Sequence, residues 1–147
     1  MKILVMHGPN LDRLGKREPE VYGHETLDSI NQRLQEAAAA DGVALDCFQS
    51  NDEGALVSRL GQAAGTFDGV IFNPAAYTHT SVALHDAIKG CGLPCVEVHL
   101  SNTHKREAFR HVSLTAGACV GQIMGFGPAG YLLALKGLVD YLKGGAV

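Results

Sequence analysis

Short apolar runs alternate along this chain with segments whose apolar residues recur every three or four positions, and no other feature limits its fold as strongly. A run of about five apolar residues suits a strand, and a three-to-four repeat suits one face of a helix. Repeated in turn, they specify strands joined by helical crossovers, hence a parallel sheet with helices packed on it.

The strand-like runs are Lys2 to Met6, Val43 to Gln49, Gly69 to Asn73, Pro94 to His99 and, more weakly, Ala118 to Ile123. Val70-Ile71-Phe72 is apolar throughout, as a strand covered on both faces requires. Pro74 then stops it. A helix is expected from the Thr26 N-cap, with Asp28 in its first turn and Leu27, Ile30, Leu34 and Ala37 or Ala38 on one face, ending at Gly42. Asn51 or Asp52 caps the next, with Leu56, Leu60 and Ala63 inward. A third runs from about Thr80 to Lys89 and stops at Gly90. The last starts with Pro128 in its first turn and carries Tyr131, Leu135, Leu138 and Leu142. His7 to Glu25 reads as a polar loop too long for a mere connection. Together these elements predict an α/β chain: a flavodoxin-like, doubly wound, five-stranded parallel sheet in the order 2-1-3-4-5, forming one domain over residues 1–147.

Composition excludes several classes. The net charge is −3 and Lys and Arg form no basic run, so nucleic acid is not an expected partner. No apolar stretch approaches the roughly 20 residues that span a bilayer. The apolar start is too short for a signal sequence, so a cytoplasmic protein is expected. Cys47, Cys91, Cys95 and Cys119 fit no common zinc spacing and read as reduced thiols in apolar surroundings. The histidines form neither H-x-x-x-H nor H-E-x-x-H, so no metal is expected.

In a doubly wound sheet ligands bind outside the carboxyl ends of the strands. That rule selects three segments: His7 to Glu25, Asn73 to Ser81 and His99 to Arg110. The first lacks G-x-G-x-x-G and is poor in Ser and Thr, so neither a dinucleotide nor a flavin is indicated, and no cofactor is expected. It offers an amide (Asn10), a guanidinium (Arg17) and a phenol (Tyr22). A phenol is a poor base near its ordinary pKa of about 10, and an adjacent guanidinium favours the phenolate. Spacing alone favours the plainer alternative, a Tyr22 that packs the loop and an Arg17 that is a surface charge.

In the second segment Asn73 ends a strand, and Thr78 to Ser81 would bring free N–H groups and His79 to a helix N-terminus, a place suited to an anion. Capping by Thr80 and a solvent-facing His79 is the plainer alternative. Asp86 reads as a surface charge unless a second subunit meets it. In the third, Glu97 and His99 are two apart on a strand and so share a face. A carboxylate there fixes the imidazole tautomer and supports its protonated form, which suits a general acid; a purely structural pair also stands. Arg106 and Arg110 align if their segment is helical, or else form a solvated face. No G-x-S-x-G elbow occurs.

Six motifs, in order and spanning about Lys2 to Tyr141, resemble the type II 3-dehydroquinate dehydratases. They are His7-Gly-Pro-Asn-Leu, Arg17-Glu-Pro-Glu-Val-Tyr22-Gly, Gln49-Ser-Asn-Asp-Glu-Gly54, Asn73-Pro-Ala-Ala-Tyr-Thr-His-Thr-Ser-Val-Ala, Glu97-Val-His-Leu-Ser-Asn102 and Arg106-Glu-Ala-Phe-Arg-His-Val-Ser113. The resemblance implies dehydration of 3-dehydroquinate to 3-dehydroshikimate by anti elimination through an enolate, without cofactor or metal. It also implies a homo-oligomer, commonly a dodecamer made of trimers. By the same resemblance Tyr22 is the base, Arg17 lowers its pKa, and His99 is the acid, oriented by Glu97. Asn10 serves the enolate oxygen. Asn73, His79, Arg110 and the Leu100–Ser101 backbone bind substrate, Arg106 helps close a lid over about Leu11 to His24, and Asp86 approaches a neighbour's site. Three positions depart from the common pattern: His7 and Asp12, where many relatives have Asn, and Ala75, where Gly is frequent. His7 and Asp12 are expected to lie near the chemistry and not in it, with the added charge of Asp12 bearing on affinity for an anionic substrate, and Ala75 is expected to matter little. Two other readings are a non-enzymatic flavodoxin-like binding module, for which the acidic cluster after the first strand is missing, and the same reaction in quinate breakdown.

Overall fold

In the computed structural model, which describes residues 1–16, 18–22 and 24–145, five parallel strands form one sheet in the order β2-β1-β3-β4-β5. The strands are β1 (Lys2–His7), β2 (Ala44–Gln49), β3 (Gly69–Asn73), β4 (Cys95–His99) and β5 (Gly121–Met124). The helices are α1 (Pro19–Tyr22), α2 (Leu27–Ala40), α3 (Glu53–Gly61), α4 (Val82–Cys91) and α5 (Ala129–Asp140).

Side-chain alternation along the strands sorts the core into two halves. Ile3 and Val5 of β1, Ile71 of β3 and Val96 and Val98 of β4 pack with Leu27, Ile30 and Leu34 of α2 and Tyr131, Leu135 and Leu138 of α5. Leu4 and Met6, Val70 and Phe72, and Cys95 face the other way, onto Leu56 and Leu60 of α3 and Leu84 and Ile88 of α4. Gly69 lets α5 lie close: a Cβ there would sit 3.1 Å from a Leu138 methyl.

The chain leaving β1 covers one face through α2, and the chain leaving β3 covers the other through α4. β1 and β3 are neighbours, so their following loops part and open a crevice between them. Gly8 borders it. Its N–H donates to the Asn73 carbonyl at 2.8 Å, and a Cβ would fall 2.5 Å from the Pro74 oxygen, so only glycine passes there without displacing backbone.

Several boundaries differ from the sequence reading. The His7 to Glu25 stretch contains a 3-10 turn at Leu11–Arg13 and the helix α1. Local periodicity cannot register elements so short. At α4 the N-cap is Ser81, whose hydroxyl accepts from the Leu84 N–H, and not Thr80. Gly90 lies inside that helix, and Gly92, at φ 70, forms the left-handed stop. Pro128 is the N-cap of α5 and not its first helical residue. β5 begins only at Gly121, after a 3-10 turn at Ala116–Ala118. Thr26 caps α2 as expected, in a reciprocal box with Ser29.

Candidate active site

A cleft lies at the carboxyl ends of β1, β3 and β4. The loop after β1 supplies Asn10, the turn after β3 supplies Asn73, Ala75 and His79, and the segment from the end of β4 supplies His99, Leu100, Ser101, Arg106 and Arg110. All three segments chosen by the strand-end rule therefore meet. Arg17 and the side chain of Tyr22 lie outside the described residues. Asp86 is exposed on α4 and takes no part in the cleft.

The floor is built on β4. Glu97 is fully buried and His99 nearly so, and Glu97 Oε2 accepts from His99 Nε2 at 2.9 Å. Three further donors converge on that carboxylate: Ser113 Oγ at 2.9 Å, Gln122 Nε2 at 2.5 Å and the Thr115 hydroxyl. Burial alone pushes the Glu97 carboxyl up. The bond to His99 and its charge, with the Thr115 and Ser113 hydroxyls, outweigh that and leave it below its usual range. Engaging Nε2 also fixes how the His99 ring is used: Nδ1 has no partner among the described residues and is the nitrogen open to a ligand. Ser113, Thr115 and Gln122 were not legible as site residues, because they lie 16 to 25 positions from Glu97 with no local pattern linking them.

Removing the Glu97 carboxylate would take the acceptor from four donors, two of which, His99 and Thr115, are buried. Glu97→Ala is expected to cost about 3–5 kcal/mol, the usual result of breaking one side of a buried charged pair. Urea unfolding checks this, and a loss below about 1 kcal/mol would contradict it.

One wall is cationic. Arg110 Nε donates to Glu107 at 3.1 Å, and Arg106 donates to Ser101 Oγ at 3.4 Å. Arg110 sits in a 3-10 turn, Ala108–Arg110, so the two do not align along one helix as spacing suggested; they meet at the cleft through the loop. His79 Nδ1 bonds the Val112 carbonyl at 2.8 Å, and Nε2 has no partner among the described residues. The N–H groups of Thr80 and Ser81, expected to be available, are both spent on the Tyr77 carbonyl. The Ser101 N–H has no acceptor among the described residues.

Behind the other wall lies a buried polar chain. His7 Nδ1 meets Tyr131 Oη at 2.9 Å, His7 Nε2 meets Asn31 Oδ1 at 2.8 Å, and Asn73 Nδ2 donates to Tyr131 Oη at 3.1 Å. His7 and Asn73 are paired across β1 and β3 and continue the face that packs on α2 and α5. Asn73 Oδ1 accepts the Ala75 N–H at 3.0 Å. Ala75 has φ 52, so a Cβ there costs about 1–2 kcal/mol and the change from glycine is not neutral for the backbone.

Burial drives the His7 pKa down to about 4, against a smaller upward pull from Asn31. The unfolded chain takes up this proton near pH 6.5 and the folded one only near 4. Between these values the unfolded state binds more protons, so stability falls with acidification, by on the order of 3 kcal/mol in all. It is fully present above about pH 6.5. His7→Gln should lack this part of the slope in urea unfolding between about pH 4 and 7. Parallel curves for the two proteins would contradict the assignment.

Among the described residues no three His, Cys, Asp or Glu side chains gather as metal ligands, and no helix is long and apolar enough to cross a membrane. Residues 1–139 match the family model described as Dehydroquinase class II. The chain belongs to the class II dehydroquinase family. It is 57% identical over 143 residues to the 3-dehydroquinate dehydratase of Geotalea daltonii, covering 97% of this chain and 99% of that protein. It is also 57% identical over 145 residues to the 3-dehydroquinate dehydratase of Desulforudis audaxviator, covering 99% and 97%. Among solved structures, type II dehydroquinase from Butyrivibrio crossotus superposes with a TM-score of 0.93 at 42% identity, over 95% of this chain and 97% of that one.

Proposed function

We propose that this chain is a hydro-lyase that dehydrates 3-dehydroquinate to 3-dehydroshikimate in the shikimate pathway, as a single catalytic domain. The observation that carries the reading is a Glu97–His99 pair at the floor of a cleft walled by Arg106 and Arg110, in a chain so similar to proteins of that name.

The proton removed lies beside a ketone. Tyr22, as phenolate beside Arg17, takes it, and the electron pair moves into an enolate. Asn10 serves the enolate oxygen through a hydrogen bond, and such pre-aimed donors are worth about 3–4 kcal/mol. The enolate then expels the hydroxyl on the opposite side of the ring, and His99 protonates it as it leaves, so water departs and the enone forms. Glu97 holds the His99 ring by Nε2 and aims Nδ1 at the cleft. Arg110 and the Leu100–Ser101 backbone take the carboxylate, Asn73 and His79 the hydroxyls, and Arg106 the closing segment. Every step uses acids and bases of the chain itself, with no cofactor or metal.

Assembly from trimers into a dodecamer would explain why Asp86 lies on an exposed face of α4 beside exposed Val82; size exclusion at low concentration tests it, and a stable monomer would rule it out. A cytoplasmic location fits this biosynthetic role.

The deciding assay mixes purified protein with 3-dehydroquinate and EDTA and follows the absorbance of the conjugated enone. Turnover is expected with or without EDTA. No enone would sink the reading, and loss of turnover in EDTA alone would sink the metal-free mechanism.

A further inference from the structure

We propose that His7 and Tyr131 are positioning residues for the reaction, forming a buried relay that locks the Asn73 amide with one hydrogen turned to the substrate. The inference rests on the dehydratase reading for its substrate, though not for its geometry.

The direction of every bond in the relay follows from one backbone group. The Ala75 N–H can only donate, so the atom facing it is Asn73 Oδ1. Asn73 Nδ2 therefore faces Tyr131 and donates to Oη. Having accepted there, Oη still has its own hydrogen, and its remaining buried partner is His7 Nδ1, which must be the lone-pair nitrogen. The neutral His7 ring then carries its hydrogen on Nε2 and gives it to Asn31 Oδ1. The relay thus runs from Asn73 on β3 through Tyr131 on α5 and His7 on β1 to Asn31 on α2, in one sense only.

An amide that turned over would set Nδ2 against the Ala75 N–H and leave two donors facing each other at the strained φ 52 turn. Locked as it is, Asn73 keeps its second Nδ2 hydrogen without a protein acceptor among the described residues, at the wall of the cleft. Without the relay the amide has one anchor, and the substrate must order the group that binds it. His7 and Tyr131 are each fully buried, so they act through Asn73 and touch no ligand.

The test is a double-mutant cycle on Tyr131→Phe and Asn73→Ala, read in the dehydration of 3-dehydroquinate. Loss of a binding contact present throughout the reaction raises KM and leaves kcat nearly unchanged. Tyr131→Phe alone should raise KM about tenfold, the equivalent of one hydrogen bond. In the Asn73→Ala background it should raise KM by less than about twofold, because the group it positions is gone. A KM near wild type for Tyr131→Phe overturns the proposal. So does an equal rise in both backgrounds, the mark of a general structural role. A second measurement needs no substrate and no folded Tyr131 variant. In the wild-type protein, the Asn73 side-chain amide, assigned by its disappearance in Asn73→Ala, should show one proton exchanging at least about tenfold more slowly than the other. Equal exchange of the two protons would overturn the relay whatever the enzyme acts on.

Discussion

His99→Gln is expected to lower kcat about 10²–10⁴-fold while KM and the unfolding temperature stay close to wild type. The reasoning starts from Glu97. Its carboxylate is buried with four donors, and His99 is one of them. A glutamine amide can still donate to Glu97, so the buried network keeps its partner and the strand its packing. What glutamine lacks is a proton to give. Under the proposed mechanism the enolate forms as before, but the hydroxyl must leave as hydroxide or wait for a proton from water. The loss therefore falls on kcat. A kcat within about tenfold of wild type would remove His99 as the general acid and return the Glu97–His99 pair to a structural role.

How much of this was legible in the sequence depends on the range of the contacts. β3 and the sheet order follow from Val70-Ile71-Phe72 and the alternation of runs, because side-chain direction along a strand is local. The same local rule placed Glu97 and His99 on one face. The strand-end rule placed the cleft. What remained hidden depends on distant partners. His7 bonds residues 24 and 124 positions away, and nothing around it distinguishes a relay histidine from a solvent-facing one. It was expected to lie near the chemistry and not in it; it bonds Tyr131, which in turn holds Asn73. The stretch Thr78 to Ser81 read as a place for an anion, or else as ordinary capping, because a helix N-terminus leaves donors free; a 3-10 turn just before it, Ala75–His79, supplies the Tyr77 carbonyl that takes the Thr80 and Ser81 amides. Gly90 and Gly92 show the remaining limit. Either could end α4 by composition, and only the backbone, left-handed at Gly92, decides.

The second large effect concerns the first chemical step. Tyr22→Phe is expected to reduce kcat by about 10²–10⁴-fold or more while substrate still binds, since the ring remains and only the phenolic oxygen is lost. On its own this matches His99→Gln, so the two must be separated by what each variant can still do. Under the proposed mechanism proton removal precedes loss of the hydroxyl. With His99 changed, Tyr22 can still make and reverse the enolate, and the proton beside the ketone exchanges with solvent. With Tyr22 changed, nothing removes that proton and exchange stops too. In deuterated water, substrate recovered from His99→Gln should carry deuterium at that carbon, and substrate recovered from Tyr22→Phe should not. The opposite pattern would exchange the roles of acid and base. Exchange in both variants would mean that a third group takes the proton, leaving Tyr22 to pack the loop.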